Sequence, residues 1–218
     1  EEGTIAGAAR PRLERLLSGK DALVVGPGLS THPETASLVR SLLPAVRIPT
    51  VIDADGLNIL AGKPGILKKT ARPPVLTPHP GEFARLLGRS VPEVLNDRLD
   101  LASRFAAEHR VLLVLKGYRT LVAGPDGRVS VNPSGNPGMA TGGSGDVLSG
   151  LLGAFLAAEK NAFGAAVASV YLHGAAGDIA AAELGQRAMV AGDILKALPR
   201  AMKALEDAAG GRKGRSFQ

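Results

Sequence analysis

The sequence predicts an α/β protein built on a mostly parallel sheet. Three observations lead there. Short apolar runs alternate with longer stretches of helical period, the pattern of strand–helix–strand crossovers. That alternation gives way once, late in the chain, to two short runs flanking a Gly-Pro-Asp-Gly turn. Three alanine-rich helical stretches then close the sequence.

Taken in order, residues 22–26 form a compact apolar run ending in glycine, read as a buried strand. Residues 32–43 have helical period. Residues 48–53 are a second strand, with Pro49 near its start. Residues 55–60 read as a short helix with Asp55 as its cap. Residues 74–77 are a third strand. Residues 92–110 read as one long helix, with Val94, Leu95, Leu99, Ala102, Phe105 and Ala106 on one stripe. Residues 111–115 are a fully apolar fourth strand. Residues 120–123 and 128–131 flank the hairpin turn and predict an antiparallel edge. Residues 148–158 and 162–182 carry small side chains and little charge, so two buried helices are expected, with a more polar one over 193–208. Crossovers between the parallel strands should be right-handed. Loops at the strands' C-terminal ends then share one rim, where open α/β sheets bind ligands. The unusual residues fall in those loops: Gly26-Pro27-Gly28, Asp53 to Gly56, Thr77 to Glu82, and Lys116-Gly117.

The 218 residues include 26 Lys and Arg against 20 Asp and Glu, a net charge of +6 that suits anionic ligands. Nucleic acid fits poorly. Aromatic residues are 3% of the chain with no Trp, so few faces exist for bases to stack on, and the basic residues are scattered. The absence of cysteine excludes disulfides, thiolate metal sites and a cysteine nucleophile. None of His32, His79, His109 and His173 stands at helical metal-ligand spacing to another. The opening Glu1-Glu2-Gly3 has no signal-peptide pattern, and the clearest apolar stretch, 151–158, falls far short of the ~20 residues of a membrane helix. A cytoplasmic protein without a membrane partner is expected. The chain lacks an initiator Met and reads as a piece of a longer one. A single domain over 1–210 is expected, then a flexible basic tail at 211–218. Arg10, Arg12 and Arg15 read as a solvated N-terminal end.

The strongest chemical signal is the run from Asn136 through Gly142, Gly143, Ser144 and Gly145 to Asp146, followed directly by an apolar helix. Glycines there let backbone N–H groups turn inward, and the helix start adds unpaired donors and partial positive charge. Together these make an anion hole for a phosphate in transfer. Asp146, in the first turn, can accept a proton from a hydroxyl attacking phosphorus. The plainer alternative is a tight turn with an N-terminal helix carboxylate. Neither G-x-x-x-x-G-K-[ST] nor G-x-G-x-x-G is present, since Thr31 occupies the last glycine position after Gly26. A P-loop enzyme and a dinucleotide-type dehydrogenase are therefore disfavoured.

Five segments occur together and in order: Gly26-Pro-Gly-Leu29, Val51-Ile-Asp-Ala-Asp-Gly-Leu-Asn58, Thr77-Pro-His-Pro-Gly-Glu-Phe83, Lys116-Gly-Tyr-Arg-Thr120 and Asn136-Pro-Gly-Met-Ala-Thr-Gly-Gly-Ser-Gly-Asp146. In this the chain closely resembles the ADP-dependent NAD(P)H-hydrate dehydratases, a branch of the ribokinase-like superfamily. The resemblance implies a ribokinase-like three-layer α/β/α sandwich with a mostly parallel central sheet and an antiparallel edge hairpin. It also implies a substrate, NADHX or NADPHX, the hydrated form of the reduced nicotinamide cofactor. ADP would phosphorylate the ring hydroxyl, giving AMP; phosphate would then leave and restore NAD(P)H. ATP is the alternative donor, with Mg²⁺ accompanying the nucleotide.

The resemblance carries over to individual residues. Asp146 would deprotonate the ring hydroxyl and touch the hydrated nicotinamide. Gly143, Ser144 and Gly145 would hold the transferring phosphate, with Gly145 also near AMP. Lys116, Gly117, Tyr118, Arg119 and Thr120 match the nucleotide loop. Lys116 can meet phosphate as a point charge, or reach into solvent from a strand end. His79 matches a substrate-contacting histidine, and otherwise caps Glu82 or a backbone group. Glu82 would organise Mg²⁺ through water, or simply start a helix; no firmer metal ligand is read. Gly28 would allow close approach of substrate, or serve a strand-to-helix turn. Asp53 and Asp55 would contact ligand or cap a helix. Asn136 is a polar contact for substrate or a turn-forming Asn-Pro.

The family usually begins with a further strand and a Gly/Ala-rich segment, neither of which is found here. Many relatives also carry an N-terminal epimerase domain, and a homotetramer is implied by the same resemblance. Two rivals remain at this point: an ATP-dependent ribokinase-like kinase of a vitamin precursor, and a nucleotide-binding regulatory protein without turnover.

Overall fold

The computed structural model describes residues 4–213. Apolar strands too short to stand alone are stacked into one six-stranded sheet. In chain order the elements are α1 (Arg10–Leu17), β1 (Leu23–Val25), α2 (Pro33–Leu42), β2 (Thr50–Ile52), α3 (Asp55–Leu60), β3 (Val75–Leu76), α4 (Pro80–Leu87), α5 (Val91–Asn96) and α6 (Arg98–His109). There follow β4 (Leu112–Leu115), β5 (Leu121–Ala123), β6 (Val129–Val131), α7 (Ser144–Ala158), α8 (Ala162–Leu184) and α9 (Ala191–Lys213). The strands lie side by side in sequence order. β1 to β4 are parallel, with Val24 opposite Val51, Val51 opposite Val75 and Val75 opposite Leu112. β5 and β6 close the sheet antiparallel, with Val114 opposite Val122 and Val122 opposite Ser130.

Side chains alternate across a strand, and here that alternation feeds two cores. Ile52, Leu76, Leu113 and Leu115 face a layer that includes Leu57 of α3, Phe83 of α4, Val94 of α5 and Phe105 of α6. Val51, Val75, Leu112, Val114 and Val122 face Leu148 and Leu152 of α7 and Ala166 and Val170 of α8. Helices on both faces explain why β2 to β5 read as unbroken apolar runs. Each fully buried Leu or Val side chain contributes about 1.5–3 kcal/mol. The small residues of α8 let α9 pack closely behind it, with Leu172, Ala176 and Ala180 against Ile194, Ala197 and Leu198.

The predicted α/β/α layering and edge hairpin are what the structure contains, with local corrections. The helix expected over 92–110 breaks at Asp97, whose backbone (φ −131°, ψ 38°) is not helical. Each half then buries its own face: Val94 in one, Leu101, Ala102 and Phe105 in the other. Leu95 and Leu99, placed on the predicted stripe, are exposed. Asp55 does not cap α3; Ala54 holds that position at φ 47°, and the Asp55 carboxylate accepts from the Ser30 amide at 2.9 Å. Arg10, Arg12 and Arg15 lie on α1, where Arg10 bonds Glu14 and Ser41. The backbone of α9 continues through 211–213, and the rest of the expected basic tail, 214–218, lies outside the described residues. Among the described residues no helix is long and apolar enough to cross a membrane.

Candidate active site

The loops leaving β1, β2, β3 and β4 meet on one rim, as the parallel topology requires. At the end of β1, Gly26 has φ +135°, and a Cβ there would stand 1.7 Å from the Asp53 carbonyl oxygen. Only glycine allows the first two loops to lie so close. The Asp53 amide donates to Val25 O at 3.0 Å, extending the pairing into the rim.

Asp53 is the organising side chain. It ends an apolar strand and is 1% exposed, so its charge needs a partner. Lys116, from the end of β4, supplies one: Nζ donates to Oδ1 at 2.9 Å. Ser149 of α7 donates to Oδ2 at 2.7 Å, and the Ala54 amide donates to Oδ1 at 2.9 Å. Burial alone would raise the Asp53 pKa. The Lys116 charge and hydrogen bonds from Ser149, Lys116 and Thr77 outweigh that and hold it below the ordinary value. Glu82 Oε2 lies 3.9 Å from the same ammonium. Lys116 thus does not reach into solvent; it is three-quarters covered and sits between two carboxylates.

Helix α7 begins directly beside that cation. Gly143 is its N-cap, at φ +84°. Gly145 follows in the first turn, where a Cβ would meet Lys116 Nζ at 3.3 Å and Asp53 Oδ2 at 3.7 Å. Glycine here lets the ammonium and the helix start share one volume. First-turn amides lack intrahelical acceptors, and the Ser144 amide makes only a long 3.3 Å bond to Thr141 O. Asp146 is exposed and has no hydrogen-bond partner among the described residues. From behind, His173 of α8 donates Nε2–H to the Ser144 carbonyl at 3.0 Å. Burial, opposed by that hydrogen bond and aided by the Lys116 charge, lowers the His173 pKa to about 4, so the ring is neutral.

His79 caps α4. Its Nδ1 accepts from the Gly81 and Glu82 amides, and Glu82 Oε2 accepts from the His79 amide at 2.8 Å, a reciprocal capping box. Acceptance at Nδ1 places the ring proton on Nε2, at the half-exposed edge, 3.6 Å from Glu82 Oε1. Glu82 therefore starts a helix, as one of its two sequence readings held. The segment Gly117 to Arg119 is exposed, with Tyr118 81% accessible. It is tied down by Arg98, which donates to Tyr118 O at 2.8 Å and Arg119 O at 3.4 Å. Thr120 Oγ1 closes the loop onto Gly117 O at 3.0 Å.

Lys116, Gly145 and Asp53 are in contact. Gly143, Ser144 and Asp146 belong to the same helix start, and His79 reaches the group through Glu82. Gly28 adopts φ +69° in an open, exposed turn with nothing crowding it. Asn136 is not drawn into the cluster. Its Oδ1 accepts from the Gly138 amide at 3.1 Å, and its Nδ2 donates to Asp178 at 2.9 Å, as a turn-forming Asn does. Sequence reasoning left Ser149, His173 and Arg98 without roles. Each is a polar residue on a helix whose neighbours pack in the core, and that is the signal that could have marked it. A cavity of about 720 Å³ opens at the opposite rim, among Arg47, Arg72, Leu112 and Phe163. None of the candidate site residues lines it.

A mostly parallel sheet layered between helices, with a glycine-rich helix start beside a largely covered lysine at its C-terminal rim, defines a three-layer α/β domain. A ribokinase-like superfamily protein from Enterococcus faecalis shares this architecture, with a TM-score of 0.78 and 28% identity over 92% of this chain and 69% of that one. The family model described as NAD(P)H-hydrate dehydratase matches residues 6–200, and the chain belongs to that family. The bifunctional NAD(P)H-hydrate repair enzyme of Moorella thermoacetica is 52% identical over 200 residues, covering 92% of this chain and 38% of that relative. The ADP/ATP-dependent NAD(P)H-hydrate dehydratase of Bacillus subtilis, co-crystallised with ATP and Mg²⁺, superposes with a TM-score of 0.75 at 34% identity, covering 84% of this chain and 64% of that one. The chain thus spans well under half the length of the Moorella relative and just under two thirds of the Bacillus protein.

Proposed function

We propose that this chain dehydrates NADHX and NADPHX to NADH and NADPH, using ADP and releasing AMP and phosphate. The observation that carries the reading is the start of α7: an unpartnered Asp146 carboxylate one residue from Gly145, which packs against the Lys116 ammonium. Asp146 takes the proton of the ring hydroxyl as its oxygen attacks the terminal phosphorus of ADP. The bond to the bridging oxygen breaks and AMP leaves. The amides of Gly143, Ser144 and Gly145 hold the transferring group, Ser144 exchanging its long bond to Thr141 for a phosphate oxygen. Phosphate is a far better leaving group than hydroxide, so it departs, driven by the ring nitrogen lone pair, and loss of a proton from the neighbouring ring carbon to solvent then neutralises the ring and restores the reduced nicotinamide. The protein contributes positioning and charge neutralisation.

In this reading Gly117, Tyr118, Arg119 and Thr120 bind the nucleotide, and Lys116 meets its phosphoryl group in transfer. Gly28 and the Nε2–H of His79 face the substrate, and Asn136 shapes the turn that leads into the glycine-rich run. Among the described residues no three His, Asp or Glu side chains cluster to cage a metal. Mg²⁺ suits such a site as an ion held mainly by phosphate oxygens and water, with Glu82 reaching it through water. The reading also takes the protein as cytoplasmic and homotetrameric. Exposed Leu184, Val190 and Leu195 on and before α9 offer apolar surface for assembly. An epimerase domain in the parent chain accords with the bifunctional Moorella relative. The test mixes purified protein with hydrated NADH, Mg²⁺ and ADP or ATP. Return of reduced-nicotinamide absorbance with release of phosphate supports the reading. A stable phosphorylated product, or nucleotide binding without turnover, refutes it.

A further inference from the structure

Resting on the function just proposed, we infer that Asp53 is a positioning residue for phosphoryl transfer: with Ser149 it fixes the Lys116 ammonium against Gly145, at the mouth of α7. The charge of Lys116 is useful only at one place. It rises from a strand end through 22% exposed surroundings, and a lysine stem with four rotatable carbons could carry it toward water. Asp53 prevents that. Oδ1 takes Nζ at 2.9 Å, while Oδ2 is fixed by Ser149 at 2.7 Å, so the carboxylate plane is set from both sides. Ser149 belongs to the same helix as Gly145, one turn on. One element therefore both supplies the amides of the anion hole and orients the acid that aims the cation at it. The volume is filled on the other side by Gly145, whose missing Cβ would stand 3.3 Å from Nζ.

The arrangement has a cost that indicates its purpose. Two carboxylates, Asp53 and Glu82, flank one ammonium, so the local charge does not by itself attract an anion. A site evolved only to bind nucleotide would leave its lysine free. Held in place, the ammonium is instead preorganised for charge that moves onto the phosphoryl oxygens during transfer. Nucleotide affinity in the ground state rests on the loop from Gly117 to Thr120 and on the helix amides. Losing Asp53 should therefore lower kcat and leave KM for ADP nearly unchanged.

The test uses Asp53→Asn, which keeps the shape and the acceptor facing Lys116, with Ser149→Ala as a milder variant that leaves the charge intact. In Asp53→Asn, kcat with hydrated NADH is expected to fall on the order of 10–100-fold, with KM for ADP changed less than about 3-fold. Ser149→Ala falls in the same direction by less. The decisive comparison is in a Lys116→Ala background, where Asp53→Asn should cost nothing further, because Asp53 acts through Lys116. Fully additive losses, or an unchanged kcat in Asp53→Asn, overturn the proposal. Acetic anhydride footprinting on the same proteins reads the pairing without turnover: Lys116 becomes several-fold more reactive in Asp53→Asn. Unaltered reactivity overturns the pairing itself. A wild-type protein that turns over nothing yet shows the expected footprint refutes the functional reading, and with it the catalytic purpose of the pair, so the two failures are told apart.

Discussion

Lowering the pH should weaken the fold through His173, and the size of the effect follows from its surroundings. The imidazole is 8% exposed, and donates Nε2–H to the carbonyl of the first residue of α7. In the unfolded chain it titrates near 6.5; in the folded protein, burial lowers that to about 4. Protons therefore favour the unfolded state between those values. The stability His173 contributes is complete above the unfolded value, declines as pH falls toward 4, and levels off below. The gap corresponds to about 3 kcal/mol when fully expressed and about 2 kcal/mol at pH 5. For a domain of this size, about 2 kcal/mol lowers Tm by roughly 4–8 °C. Urea unfolding of wild type and His173→Gln at pH 7 and pH 5 isolates the contribution, because Gln retains a donor for the Ser144 carbonyl but does not titrate. Every other ionisable group is common to the two proteins, so its contribution cancels. The variant should lose about 2 kcal/mol less than wild type between the two pH values. Parallel losses would show that His173 is not the buried neutral ring described, and would remove it as the support of the start of α7.

Two substitutions probe the rim. Gly26→Ala places a Cβ 1.7 Å from the Asp53 carbonyl at φ +135°, so a loss above about 3 kcal/mol is expected in thermal melts, with little soluble protein. Arg98→Ala removes both donors that fasten Tyr118 O and Arg119 O; ADP affinity measured by calorimetry should weaken about 3–10-fold while Tm moves little.

The strands were legible because parallel strands covered on both faces must be apolar throughout, and residues 51–52 and 112–115 carry that signature. The glycine-rich start of α7 was legible because few backbones need three glycines ahead of an apolar helix. The break at Asp97 was not, since the hydrophobic stripe continues across it; Arg98, first in the helix after the break, reaches the carbonyls of a loop twenty residues away. Of helix α4 only the start at Glu82 was read, and that as one of two alternatives, because its cap is a histidine rather than Ser, Thr, Asp or Asn. The pairing of Asp53 with Lys116 joins residues 63 positions apart, and no local pattern carries such information. A charged residue ending a buried strand did pose the question, and the fold supplied the partner.

Asp146 is where the account is most exposed. Reduced-nicotinamide absorbance, followed with hydrated NADH, ADP and Mg²⁺ for wild type and Asp146→Asn, tests it most directly. The variant should lose on the order of 10²–10⁴ in rate while binding AMP as wild type does. Equal rates for the two proteins would contradict it.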